Sequence, residues 1–109
     1  MIGHIAPKIW NKSLSSYQIF DVRTPSEWRE EGVIDGVKCV ALLDDMGLLN
    51  ENFIEEFKAK YQKNDKTLAF ICRSGYRSEI AASMVLDKLE IRGVNLEGGV
   101  LAYEKELIK

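Results

Sequence analysis

A single histidine, only two cysteines and no long apolar run narrow the chemistry open to this chain of 109 residues. A membrane-spanning helix needs about 18–20 consecutive apolar residues, and no stretch approaches that length. The first residues, Met1-Ile2-Gly3-His4-Ile5-Ala6-Pro7, carry neither the basic nor the apolar region of a secretion signal. A reducing, cytoplasmic setting is therefore expected. Positive charge is not in excess either. Fifteen Lys and Arg stand against 17 Asp and Glu, for a net charge of −2, so no nucleic-acid partner is expected. Cys39 and Cys72 do not form a C-x-x-C pair, which removes a thioredoxin-type redox motif and a zinc knuckle, and no metal site is indicated. The lone His4 lies in a segment expected to be an end or an edge, where a histidine is read as a solvated bystander. A Ser-His-Asp or Cys-His enzyme is then not expected, and any nucleophile must be activated without imidazole.

What is present is an ordinary globular balance, 46% hydrophobic and 29% charged. It suits one domain over residues 1–109 with its own core. Short apolar runs alternate with helical patterns. Tyr17 to Val22 reads as a strand. Thr24-Pro25-Ser26-Glu27 is a capping box with proline at the first helical position, and Gly32 ends the short helix that follows. A strand is expected over Lys38 to Leu42. Asn50 is then expected to cap a helix through about Tyr61, with Phe53, Ile54, Phe57 and Tyr61 on one face. Thr67 to Ile71 is nearly all apolar, as in a strand covered on both faces. A helix from about Ser78 to Leu89 carries the apolar stripe Ile80, Ala81, Met84, Val85 and Leu89. Gly93 to Leu96 is a last strand. Gly98-Gly99 leads into a helix with Val100, Leu101, Leu107 and Ile108 facing inward. This alternation predicts an α/β fold with a parallel sheet of about five strands and helices on both faces.

Ligands of such sheets bind beyond the carboxyl ends of the strands. Cys72 falls there, between the most apolar strand and the most apolar helix, in Cys72-Arg73-Ser74-Gly75-Tyr76-Arg77-Ser78. Gly75 lets the loop curl so that its N–H groups converge at the helix N-terminus, and Arg73 and Arg77 add two cations. Both features favour a thiolate at Cys72. Cys39 alternates among apolar residues and reads as core packing, with a resolving thiol as the lesser alternative. Glu27 reads as the capping-box partner. Asp21 and Arg23 read either as paired strand-end residues or as part of a site. Cysteine-dependent phosphatases carry C-x5-R, whereas Arg77 comes one position earlier. A shorter loop makes a smaller cradle, suited to one extra sulfur atom more than to a phosphate.

Four segments in order resemble a rhodanese domain. Asp21 to Trp28 resembles the family's D-x-R-x-x-x-E-[FW], and Gly32-Val33-Ile34-Asp35-Gly36 stands where the family often has G-H-I-P-G. Cys72 to Ser78 resembles its active loop, and Leu96-Glu97-Gly98-Gly99 its L-x-G-G. The resemblance implies sulfur transfer through a Cys72 persulfide, with no metal or organic cofactor. Residues Arg73, Ser74, Gly75, Tyr76, Arg77 and Ser78 would hold the donor. Arg23 would help bind an anionic donor such as thiosulfate, and Asp21 would orient an arginine. Tyr76 would either line the pocket mouth or merely pack on the loop. The implied partners are a small anionic sulfur donor and a thiol, protein or cyanide acceptor. The alternatives are a non-catalytic interaction module and, further off, a phosphatase or arsenate reductase on the same scaffold.

Overall fold

Alternate residues of a strand face opposite sides of a sheet, and burial along the chain follows that rule. The computed structural model describes residues 2–107. In β2 (Tyr17–Asp21) and β4 (Thr67–Ile71), Phe20, Leu68 and Phe70 enter one core, whereas Ile19, Ala69 and Ile71 enter another. Both faces of β4 are covered, which accounts for the unbroken apolar run from Leu68 to Ile71. The first core adds Phe53 and Phe57 of α3 (Phe53–Lys60) and Ala81, Ala82 and Val85 of α4 (Tyr76–Leu89). The second adds Trp10 of α1 (Pro7–Trp10) and Val100 of α5 (Gly99–Leu107). Cys72 continues the alternation of β4 and faces the first core, under α4.

Among the described residues five strands, all parallel, lie in the order β1-β5-β4-β2-β3, where β1 is Gly3–Ile5, β3 is Lys38–Cys39 and β5 is Val94–Leu96. The chain moves outward from β2 to β3, returns to β4, then proceeds the other way to β5 and β1's side. The switch point therefore lies between the carboxyl ends of β2 and β4, where Asp21 pairs with Ile71 in register. Ligand crevices of open α/β sheets form at this point. Among the described residues no helix is long and apolar enough to cross a membrane.

Several expectations differ in detail from the structure. β1 and α1 were not expected, since three- and four-residue elements leave too little periodicity to read. β3 covers only Lys38 and Cys39, although Val40 N–H and Leu42 N–H still donate to the Asp21 and Val22 carbonyls at 3.0 and 3.2 Å. Asn52, not Asn50, precedes α3. The Asn50 side chain instead joins its own turn to the sheet, accepting from Asn52 N–H and donating to Ala41 O. α4 begins at Tyr76, two residues early. Ile80 and Leu101 are exposed rather than inward: the buried stripe of α4 is Ser78, Ala81, Ala82 and Val85, and Leu101 meets the cysteine loop through its backbone N–H. The Leu107 side chain and Ile108 lie outside the described residues. α2 (Pro25–Glu31) follows expectation, with the reciprocal Thr24–Glu27 capping box and Gly32 at its end.

Candidate active site

Cys72 directly follows β4 and is 1% exposed. The chain turns at Gly75, whose φ of +111° favours a residue without a side chain, and enters α4. This turn aims the Gly75 N–H at Cys72 Sγ, 3.1 Å away. Ser78, fully buried on the first turn of α4, brings Oγ within 3.2 Å of the same sulfur.

The loop is held from the opposite side by α5. Val100 N–H donates to Cys72 O at 2.9 Å and Leu101 N–H to Arg73 O at 3.1 Å. The first N–H groups of a helix have no partner within it, so α5 uses them to fasten the loop carbonyls. Gly99, with φ +59°, makes that approach feasible. A Cβ there would overlap the Cys72 and Arg73 carbonyl oxygens. Asn95 on β5 donates from Nδ2 to Gly75 O at 3.1 Å.

The arginines do not stand free around the sulfur. Arg77 makes a bidentate pair with Glu27 of α2, at 2.6 and 2.9 Å. That hydrogen-bonded pairing outweighs the opposing effect of burial and, with Thr24 N–H also donating, holds the Glu27 carboxyl down at about 2. The same pairing raises Arg77 above its ordinary value, against its burial. Arg73 is half exposed, with Nε 3.8 Å from Glu31. Arg23, expected beside an anionic donor, is 0% exposed. Its Nη2 donates to Asp21 at 2.8 Å and to Gly32 O at 2.7 Å, and Nη1 lies 3.5 Å from Glu31. Burial works against the Arg23 charge, but Asp21 more than offsets it, with Glu27 and Glu31 adding to the effect, and the guanidinium is held above its ordinary value. Reading Asp21 and Arg23 as a strand-end pair therefore describes their geometry, and Arg23 presents no surface to a ligand. Three arginines meet three carboxylates, so the site lacks the net positive charge expected from the loop alone.

Glu31 was missed in the sequence. Its signal was the i, i+4 spacing from Glu27, which puts both carboxylates on one face of α2. Ser74 is exposed, and Tyr76 is 73% exposed at the start of α4 and stands in solvent. Cys39 is half-buried on the wall of a cavity of about 850 Å³ shared with Trp28, Leu48, Leu49 and Lys60. Its thiol is pushed up by burial and by Asp21. It sits two strands from β4, a lateral separation of roughly 10 Å, which is beyond disulfide reach. Both cysteines are free. His4 lies on edge strand β1 as expected but is no bystander, since its Nδ1 meets Asn95 Nδ2 at 3.1 Å.

Comparison with known proteins bears on the family and the fold. An uncharacterized protein of Rickettsia prowazekii is 40% identical over 70 residues, covering 62% of this chain and 55% of the relative. A tRNA uridine(34) hydroxylase of Chlamydia felis is 29% identical over 104 residues, 92% of this chain but 30% of that protein. The chain thus spans little more than half of one relative and under a third of the other. Among solved structures, Rv0390 from M. tuberculosis superposes with a TM-score of 0.76 at 29% identity, covering 89% of this chain and 78% of its own. A rhodanese-like domain protein from Staphylococcus aureus gives 0.66 at 26%, covering 94% and 91%. Residues 7–106 match the family model of the rhodanese-like domain, so the chain with this strand-end cysteine loop belongs to the rhodanese-like family.

Proposed function

We propose that the chain is a sulfurtransferase that carries sulfur as a persulfide on Cys72. The supporting observation is the buried Cys72 Sγ at the head of α4, receiving the Gly75 N–H at 3.1 Å. In the first half-reaction the Cys72 thiolate attacks the outer sulfur of an anionic donor such as thiosulfate. The donor's S–S bond breaks and sulfite leaves with the bonding pair. Arg73, half exposed at the loop, is the cation available to the incoming and leaving anions. Arg77 acts at one remove: clamped by Glu27, it fixes the start of α4 against α2. In the second half-reaction a thiol or cyanide attacks the terminal sulfur, the Cys72–sulfur bond breaks, and the thiolate is restored. A covalent intermediate between two half-reactions gives ping-pong kinetics.

Incubation with thiosulfate followed by intact-mass measurement tests this. One added sulfur on Cys72, removed by cyanide, is expected. Cys72→Ser gains none, and Cys39→Ser behaves like the parent. Loading on Cys39, or no loading, overturns the proposal. The second outcome favours an interaction module, a reading supported by the carboxylates that pair closely with Arg23 and Arg77.

A further inference from the structure

One group near Cys72 has a sense that cannot be reversed. The Gly75 carbonyl oxygen can only accept, and Asn95, 3% exposed, approaches it with its amide at 3.1 Å. The amide nitrogen must therefore face Gly75, which leaves Oδ1 facing Ser78. Because Oδ1 can only accept, the Ser78 hydroxyl, 2.5 Å away, donates to it. A serine hydroxyl has one proton. With that proton committed to Asn95, Ser78 meets Cys72 Sγ at 3.2 Å with a lone pair. The same constraint runs outward. The second Nδ2 hydrogen points at His4 Nδ1, which must then be the unprotonated nitrogen, and Nε2 faces the Glu79 carboxylate at 3.5 Å.

We propose that Asn95 is a positioning residue for Cys72. It turns Ser78 into an acceptor toward the sulfur, and His4 anchors its outer side. This rests on the reading of Cys72 as the sulfur carrier. An acceptor at that position favours the thiol and opposes a charge on Sγ, leaving the Gly75 N–H to stabilise the thiolate. When the thiolate takes sulfur from thiosulfate and sulfite departs, the negative charge moves outward to the terminal sulfur and Sγ becomes a neutral divalent atom. The Ser78 lone pair then no longer faces an anion, so the network favours the loaded state over the unloaded thiolate.

Other charges around the sulfur are the Arg77–Glu27 pair, Arg73 with Glu31, the buried Asp21–Arg23 pair and the Glu79 carboxylate beside His4. None of these charged side chains is substituted in the variants used below, and the Ser78→Ala background separates the hydroxyl's effect from the loss of the Asn95 contacts to Gly75 and His4. The measurement is the alkylation rate of Cys72 against pH, read by mass in a Cys39→Ser background. Ser78→Ala is expected to leave the rate below the midpoint unchanged or faster, since no donor to the thiolate is lost. Asn95→Ala frees the hydroxyl to turn toward Sγ and should speed alkylation below the midpoint by about tenfold, the worth of one charge-assisted hydrogen bond. The Asn95→Ala gain should vanish when Ser78→Ala is added. A slower rate in Ser78→Ala overturns the proposal, as does an Asn95→Ala effect of the opposite sign or of equal size in both backgrounds. Ser78→Ala removes a single oxygen and keeps the test decisive if Asn95→Ala does not fold. Alkylation needs no sulfur donor, so a protein that never loads sulfur would refute the proposed function without touching this result.

Discussion

Glu27 shows how much one carboxylate does in this fold. It accepts from Thr24 N–H to close the capping box and from Nη1 and Nη2 of Arg77, joining α2 to the start of α4. Its folded value of about 2 lies below the ordinary 4.5. The stabilisation is therefore complete above about pH 4.5 and is lost as pH falls toward 2. Its size is about 3 kcal/mol as an upper figure. Melts of the parent and Glu27→Gln between pH 2 and 7 are expected to differ by ~1–3 kcal/mol at neutral pH and to converge in acid. Equal stability at pH 7 would mean that the Arg77 pair contributes nothing. Arg73 is the converse case. Half exposed and only loosely paired, it is expected to act on the substrate more than on the fold. Arg73→Ala should lower kcat/KM for thiosulfate by about tenfold and barely change that for a neutral persulfide donor. Equal losses with both donors would assign Arg73 to loop integrity instead.

At the scale of elements, the loop depends on α5 arriving end-on. The Gly98-Gly99 pair was legible as a motif, but its purpose was not. Gly99 is needed because the loop carbonyls occupy the space a side chain would take. Gly99→Ala combines a positive φ with overlap against backbone and should cost more than 3 kcal/mol or prevent folding. Gly36→Ala also has a positive φ, +85°, but opens onto empty space, so about 1 kcal/mol is expected. Thermal melts of the two variants side by side check this, and comparable losses would show that close packing by α5 is not the cause. The helices α2 and α4 were likewise readable from their caps and stripes. That α2 turns Glu27 and Glu31 toward the arginines depends on how it packs, which no local pattern records.

At the scale of the molecule, the sheet has a well-supported centre and short edges. β4 is flanked by β2 and β5 and covered on both faces, whereas β1 has three residues and β3 two. Opening free energies within a domain follow such differences in burial and pairing. Amide exchange is expected to be slowest in β4 and the adjoining part of β2, and faster by an order of magnitude or more in β1. Protection of β1 equal to that of β4 would show that the molecule opens only as a whole. Unfastening of β1 would also remove His4 from Asn95, so an edge strand reaches the cysteine through a side chain.

The sequence by itself determined the α/β alternation, the buried central strand, the capping box at Thr24 and the place of Cys72 at a strand's carboxyl end. Each of these is written in neighbouring residues through periodicity, turn chemistry or caps. Only the tertiary structure decided which charges meet. It closed Arg23 onto Asp21, gave Arg77 to Glu27 across 50 positions, and carried His4 across 91 to Asn95. Side-chain pairing at that separation follows from strand order and helix packing. The loop's two arginines therefore promised a positive cradle from sequence that folding neutralised, and the histidine set aside as terminal became part of the polar chain leading to the sulfur.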